Sequence, residues 1–165
     1  PWNMPLYLFT WKIAPALVTG NTVIAKPSEF TPTTAFMLAK YCDEIGLPPG
    51  VLNILHGLGP EVGSAIVDHP EVKAISFTGS SRVGKIIAET CGKKMKKFSL
   101  ELGGKNPFII TESADTEKAV STAMRAAFTN QGQVCLCGSR IYIHKSLYEN
   151  VKNHMIEKPP SIKIL

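Results

Sequence analysis

The sequence predicts an α/β fold: a mostly parallel sheet with flanking helices, leading into the start of a second α/β domain. Short segments rich in β-branched and apolar residues alternate with longer, half-apolar segments along most of the 165 residues. Such alternation is typical of parallel strands joined by helical crossovers. The apolar segments lack a clean two-residue alternation, which favours strands buried on both faces.

The individual elements follow from apolar patterns and from turn residues. Helices are predicted over residues 4–19, 33–45, 61–67, 82–90 and 117–128, and strands over residues 22–26, 51–55, 72–77, 98–102 and 107–110. Pro15 is expected to interrupt or bend the first helix. Thr33 or Thr34 is expected to cap the second helix, and Ser113 or Asp115 to start the last.

Composition excludes several classes of protein. A hydrophobic share of 44% and a charged share of 19% are typical of a globular chain with a core. The net charge of +5 is concentrated at residues 93–97, which we interpret as a solvated rim, because no aromatic residues accompany the lysines. We therefore expect no nucleic-acid partner. We also expect no membrane partner, because no apolar segment has the length of a membrane span.

The four cysteines lack the paired spacing of a zinc site, so no metal is predicted. Reduced thiols indicate a reducing compartment, and we expect a cytoplasmic location. The chain begins at Pro1 without an initiator methionine, which we interpret as a cut within a longer protein.

Cys135 stands between a polar, glycine-containing turn and the apolar segment 141–143. A thiol at such a junction is partly exposed and can meet a ligand. The alternative is a buried structural cysteine, because free cysteine is among the most buried residue types. This segment alone leaves both interpretations open.

Polar and glycine-rich segments follow the predicted strands. They are Lys26 and the segments 56–60, 78–80 and 101–104. Because the carboxyl ends of parallel strands meet at one edge of a sheet, ligands bind there. This edge is therefore the predicted site.

Two of these segments could hold the phosphates of a nucleotide. Residues 77–84 follow a strand and open a helix, so Ser80 and free backbone N–H groups can bind pyrophosphate. The alternative for Ser80 is an ordinary helix cap. Residues 56–63 resemble a dinucleotide fingerprint, but the third glycine comes one residue late, which favours a plain turn.

Three charged residues have two interpretations each. Lys26 and Glu29 form either a solvated ion pair or a ribose-binding pair, in which the carboxylate would favour NAD over NADP. Glu101 ends an apolar strand beside two glycines. It is either a general base with a raised pKa or a surface residue paired with Lys105.

Several short segments occur together in an order that resembles the aldehyde dehydrogenase superfamily. They are residues 1–3, 11–12, 15–17, 20–22, 26–29, 77–80, 101–105 and 132–135. The resemblance runs to about residue 155. Residues 11–17 and 134–137 most resemble the 2-aminomuconic semialdehyde dehydrogenase branch.

The resemblance implies catalytic roles for four residues. Cys135 matches the nucleophile, whose thiolate attacks an aldehyde to give a thiohemiacetal and then a thioester. Asn3 matches the amide that forms the oxyanion hole with the backbone N–H of Cys135. Glu101 matches the base that activates water for hydrolysis, and Lys12 resembles a lysine that relays protons from it. Cys137 has no matched role and is expected to be a packed thiol.

The resemblance also implies NAD as cofactor. Lys26 and Glu29 match its ribose-binding pair, Gly79 and Ser80 match the pyrophosphate-binding turn, and Trp2 matches a residue lining the cofactor site. The implied substrate is a small aldehyde, oxidised to a carboxylic acid. Full-length relatives are homo-oligomers.

The implied organisation has three parts: residues 1–101 belong to a Rossmann-like NAD-binding domain, residues 102–155 start the catalytic domain, and residues 156–165 form a divergent tail. Three functions follow: an NAD-dependent aldehyde dehydrogenase, a truncated non-catalytic fragment that retains partial nucleotide binding, or an acylating enzyme that passes the thioester to coenzyme A. Glu101, the water-activating base, argues against the acylating enzyme.

Overall fold

Two compact units make up the chain in the computed structural model, which describes residues 1–157. The first unit covers Pro1–Leu102 and the second begins at Gly103. Every paired strand among the described residues has a parallel partner, and helices lie between the strands in sequence. The predicted α/β class is therefore confirmed. Within residues 1–157, none of the helices combines the length and apolar character that crossing a membrane requires. The predicted tail lies mostly outside the described residues.

The first unit contains two pairs of parallel strands and four helices. In chain order these are α1 (Pro5–Val18), β1 (Val23–Ala25), α2 (Thr33–Glu44), β2 (Leu52–Ile54), α3 (Ser64–Asp68), β3 (Ala74–Gly79), α4 (Ser81–Lys93) and β4 (Lys97–Leu102). Strand β1 pairs with β2, and β3 pairs with β4. Helix α1 continues through Pro15. A π-helical turn, Gly59–Gly63, precedes α3, where the sequence predicted one continuous helix.

The second unit contains one strand pair and two helices. Its elements are β5 (Pro107–Ile110), α5 (Thr116–Phe128), β6 (Arg140–Ile143) and α6 (Tyr148–Glu157). A 3-10 turn, Thr129–Gly132, follows α5 directly. Strand β5 pairs with β6 in parallel.

Helix starts depend on backbone geometry as well as on the capping residue. Asp115 caps α5 as predicted, its carboxylate accepting from the backbone N–H of Lys118 at 2.9 Å. The predicted threonine cap of α2 is wrong. Pro32 precedes α2 with helical backbone angles and without a side-chain cap. Because proline already holds its φ near the helical value, the helix begins before a threonine can cap it.

The core of the first unit lies between α4 and the strands β3 and β4. Ile75, Ile87 and Cys91 are buried there. Gly84 lets α4 approach β4 closely, because a Cβ at this position would lie 2.7 Å from a methyl group of Leu102. In the second unit Ile110, Val120 and Val151 form a separate core.

Two expectations about exposure hold only in part. Burial of both strand faces fails at β5, where the apolar side chain of Ile109 is 68% exposed. The lysine cluster is a solvated rim at Lys93, Lys94 and Lys97, which are exposed, but not at Lys96. Lys96 is buried, and its ammonium donates to the carbonyls of Val67 at 2.7 Å and His69 at 2.6 Å. Lys96 thus satisfies the carboxyl end of α3, whose carbonyls lack helical partners.

We expect Ile87→Ala to lower the free energy of unfolding by about 2–5 kcal/mol, because it opens a cavity between α4 and the strands. Ile86 is the matched control on the same helix, since it is 58% exposed and Ile87 only 6%. We expect Ile86→Ala to cost less than about 1 kcal/mol. Urea denaturation followed by circular dichroism measures both, and equal losses would contradict this core.

Candidate active site

Lys26 joins the carboxyl ends of β1 and β2. Its ammonium donates to the carbonyl of Pro27 at 2.7 Å and to that of Gly57, beyond β2, at 3.1 Å. It also lies 3.6 Å from the carboxylate of Glu29, and its side chain is only 15% exposed. These contacts exclude a simple solvated ion pair, because the ammonium is fixed by two backbone carbonyls.

Glu29 keeps its charge at neutral pH. A hydrogen bond from its own backbone N–H holds the pKa of this carboxyl below its usual range, and the charge of Lys26 lowers it further. The side chain is 39% exposed. Glu29 is therefore an ionised acceptor whose carboxylate lies beside the ammonium of Lys26 and stays partly open to a ligand.

A pocket of about 400 Å³ adjoins Lys26 and Glu29 at the same edge. It is lined by Pro27, Ser28, Glu29, Pro32, Thr33, Phe36, His56 and Gly57. Pockets that combine apolar walls with a few polar groups are typical of small-molecule sites. The proline and phenylalanine side chains suit the flat ring of a nucleotide base, and Glu29 suits the hydroxyls of its ribose. The residues present therefore fit a nucleotide.

The start of α4 suits an anion. The Ser80 hydroxyl accepts from the backbone N–H of Val83 at 3.3 Å, so Ser80 is indeed the cap of this helix. The dipole of the helix and its first N–H groups still favour a phosphate at this end. Gly79 is needed for space, because a Cβ there would lie 2.5 Å from the ring of Phe77. Ser80 can therefore cap α4 while the same turn binds a phosphate.

The pairing of β3 with β4 creates a polar surface, which we call the polar face: Ser76, Thr78, Ser99 and Glu101. Ser76 is paired with Ser99, and Thr78 with Glu101. Residues two apart on a strand share a face, and paired residues do so too. Ile75, by contrast, faces α4. Glu101 therefore lies on the face opposite to the core and is exposed.

Lys12 of α1 reaches the polar face. Its ammonium donates to the Ser76 hydroxyl at 2.9 Å. Partial burial lowers the pKa of Lys12 below its ordinary value, and the charge of Glu101 opposes this shift. The Thr78 hydroxyl oxygen is buried and has no hydrogen-bond partner among the described residues. The face thus combines a carboxylate, an ammonium with a lowered pKa and an unpartnered hydroxyl.

Cys135 lies in a tight turn of the second unit, between the 3-10 turn and β6. The N–H of Cys137 donates to the carbonyl of Val134 at 3.0 Å and closes this turn. Residues Asn130, Gln131 and Gly132 before it all have positive φ. Cys135 is half-buried. The alternative of a fully buried structural cysteine is therefore excluded for this residue.

Cys137 is the packed thiol that the sequence predicted. It is buried, and its thiol donates to the carbonyl of Gly132 at 3.0 Å. This contact ties the cysteine turn to the positive-φ segment before it.

The roles of all the sequence-predicted site residues, Asn3 and Trp2 included, stay predictions. Asn3 precedes α1 and is half-buried, and Trp2 is 51% exposed. Two other residues escaped the sequence analysis. Ser76 lies within a plain strand pattern, and Asn106 precedes Pro107 in a loop. Neither belongs to a motif, and their contacts depend on residues distant in sequence.

We expect Glu101→Gln to lower the pKa of Lys12 further, because the substitution removes the carboxylate that opposes the effect of burial. Nuclear magnetic resonance of isotope-labelled lysine side chains, titrated with pH, measures this value. Glu89→Gln is the matched control, since Glu89 pairs with Lys93 on α4. An unchanged or raised Lys12 pKa in the Glu101 variant would contradict the coupling.

Comparison with known proteins places the chain in a family. The model of the aldehyde dehydrogenase family matches residues 1–164. The chain is 54% identical over 157 residues to 2-aminomuconic semialdehyde dehydrogenase of Danio rerio, covering 95% of this chain and 32% of that relative. It resembles lactaldehyde dehydrogenase from Escherichia coli with a TM-score of 0.94 at 45% identity, covering 99% of this chain and 34% of that one. It resembles an NAD+ complex of aldehyde dehydrogenase from Bacillus cereus with a TM-score of 0.92 at 42% identity, covering 99% and 33%. The chain thus spans about a third of the length of these relatives, and it belongs to the aldehyde dehydrogenase family.

Proposed function

We propose that this chain is the nucleotide-binding and thiol-bearing part of an NAD-dependent enzyme that oxidises a small aldehyde to a carboxylic acid. The observation that carries this proposal is the ionised Glu29, held by Lys26 beside an apolar pocket at the carboxyl ends of two parallel strands. A fixed carboxylate accepts from two ribose hydroxyls and repels a 2′-phosphate. Membership of the aldehyde dehydrogenase family supports the oxidative chemistry.

The first chemical step is assigned to Cys135. Its thiolate attacks the carbonyl carbon of the aldehyde, a C–S bond forms, and the carbonyl oxygen becomes an alkoxide. The amide of Asn3 and the backbone N–H of Cys135 are the proposed donors to this oxygen. When bound, NAD supplies the hydride acceptor that turns the adduct into a thioester. The half-exposed position of Cys135 in a closed turn supports its role.

The second step is assigned to Glu101. Its carboxylate accepts a proton from water, the water oxygen bonds to the acyl carbon, and the cysteine thiolate leaves. The carboxylic acid is thereby released. Lys12 is the proposed proton-exchange partner of Glu101, and its lowered pKa supports this role, because a neutral amine becomes accessible at a lower pH. A cytoplasmic location and a homo-oligomeric assembly of the complete protein also belong to this proposal.

A second candidate is a non-catalytic piece that retains nucleotide binding. Helix α2 exposes two large apolar side chains that do not line the nucleotide pocket, Met37 and Tyr41. Exposed apolar patches mark surfaces that other parts of a protein cover. The chain spans about a third of the length of its relatives; in this candidate turnover requires further chain, while the first unit alone binds the nucleotide.

We expect the purified chain to produce NADH from NAD and a short aldehyde, and Cys135→Ser to abolish this activity. An alcohol is a much weaker nucleophile than a thiolate, so the loss should reach about a thousandfold or more. Cys42→Ser is the matched control, since Cys42 is a half-buried thiol of α2, and should retain activity. Absence of turnover with intact NAD binding would favour the second candidate.

We expect Glu29→Gln to weaken NAD binding about tenfold, because an amide is a poorer acceptor for ribose hydroxyls than a carboxylate. The preference for NAD over NADP should fall at the same time, since the repulsion of the 2′-phosphate is lost. Calorimetric titration with both nucleotides measures these changes. Because the pKa of Glu29 lies below its ordinary value of 4.5, the carboxylate stays charged and its contribution should be constant from about pH 6 to pH 8. Glu44→Gln on α2 is the control.

A further inference from the structure

The cysteine turn is fastened to one side chain outside it. The amide nitrogen of Asn106 lies 2.6 Å from the carbonyl oxygen of Cys135 and 3.1 Å from that of Cys137. Both partners are pure acceptors, so the side chain must present its NH₂ group to them. One amide thus holds two carbonyls that stand two residues apart, on either side of Leu136.

Asn106 is itself anchored to the strands of the second unit. It is half-buried and immediately precedes β5. Its own carbonyl accepts from the backbone N–H of Arg140 at 3.2 Å, where β6 begins. The amide therefore couples the cysteine turn to the β5–β6 pair, and not merely to another loop.

The two carbonyls differ in how much they depend on Asn106. The Cys137 carbonyl also accepts from Ser139, through its backbone N–H at 2.8 Å and its hydroxyl at 3.3 Å. The Cys135 carbonyl makes the shorter bond to Asn106. Loss of the amide should therefore displace the backbone at Cys135 more than the backbone at Cys137.

We propose that Asn106 is a positioning residue for the Cys135 thiol. By holding the carbonyls on both sides of the turn it sets the direction of the backbone at Cys135, and thereby the direction in which the thiol meets the aldehyde. This inference rests on the proposed function of Cys135 and adds a residue that acts through it. Asn106 touches the turn and not the reacting atoms.

The chemistry of the side chain explains why asparagine stands here. Its planar amide carries two N–H donors on a short, stiff stem, one for each carbonyl. Serine would offer one donor. Aspartate, with nearly the same shape, would place acceptor oxygens against two carbonyl oxygens and would push the turn away.

The test measures the reactivity of the thiol in the purified chain. Iodoacetamide alkylation is followed at Cys135 and Cys42 by peptide mass spectrometry over a range of pH. We expect Asn106→Ala and Asn106→Asp to alkylate about threefold faster or more at Cys135, because the freed turn exposes the thiol. The rate at Cys42 in the first unit should not change. Asn106→Ser should lie between wild type and alanine, since it keeps one donor.

Ser139→Ala is the matched control. It removes another hydrogen bond to the Cys137 carbonyl and leaves Cys135 held, so its rate at Cys135 should stay within about twofold of wild type. Where NADH production is measured, Asn106→Ala should lower kcat about tenfold and leave the KM for NAD unchanged, because a displaced nucleophile affects only the chemical step.

Three results would overturn the proposal: unchanged alkylation of Cys135 in folded Asn106 variants, an equal acceleration at Cys42, or the same effect from Ser139→Ala. Should the alanine and aspartate variants fail to fold, Asn106→Ser carries the comparison. Alkylation needs neither NAD nor aldehyde. If the wild-type chain shows no turnover, the proposed function is contradicted. The alkylation rates still decide whether Asn106 positions Cys135.

Discussion

Parallel strand pairing is the constraint on which the rest of the structure depends. It brings the carboxyl ends of β1 and β2 to one edge, so that Lys26 after β1 can donate to the carbonyl of Gly57 after β2. Parallel pairing of β3 with β4 likewise places Thr78 beside Glu101, and the polar face thereby lies on the side of the strands away from the core. Side chains distant in sequence thus acquire common surroundings because two backbones run in the same direction.

Two lysines with little exposure to water bind backbone carbonyls. Lys26 holds two strand ends, and Lys96 satisfies the end of α3. An ammonium that is removed from water needs such acceptors, because an unpartnered buried charge is costly. Lys12 differs from these two, since its ammonium donates to a hydroxyl near a carboxylate and its pKa is lowered. This difference separates the two structural lysines from Lys12, for which we propose proton exchange.

In the second unit, hydrogen bonds to backbone carbonyls also fix the turn that carries the thiol. Three successive residues before Cys135 have positive φ, which is uncommon for residues other than glycine, and hydrogen bonds to backbone carbonyls hold the turn that follows. Asn106 holds the carbonyls of Cys135 and Cys137, and the Cys137 thiol holds that of Gly132. The two cysteines therefore have different tasks, although they stand two residues apart: Cys137 packs the turn, and Cys135 remains half-exposed on it.

The sequence by itself determined the α/β class, the order of the elements as far as α5, and the family, because apolar periodicity, turn residues and ordered motifs are local properties of the chain. It also located Cys135, Glu101, Lys26, Glu29 and Ser80 at the ends of ordered elements. Only the tertiary structure decided which acceptors hold Lys26, that Pro32 replaces a threonine cap, that Lys96 is buried, and that Ser76 and Asn106 contact Lys12 and the cysteine turn. These facts depend on pairs of residues far apart in sequence, and strand register and helix packing bring such pairs together without leaving a local pattern.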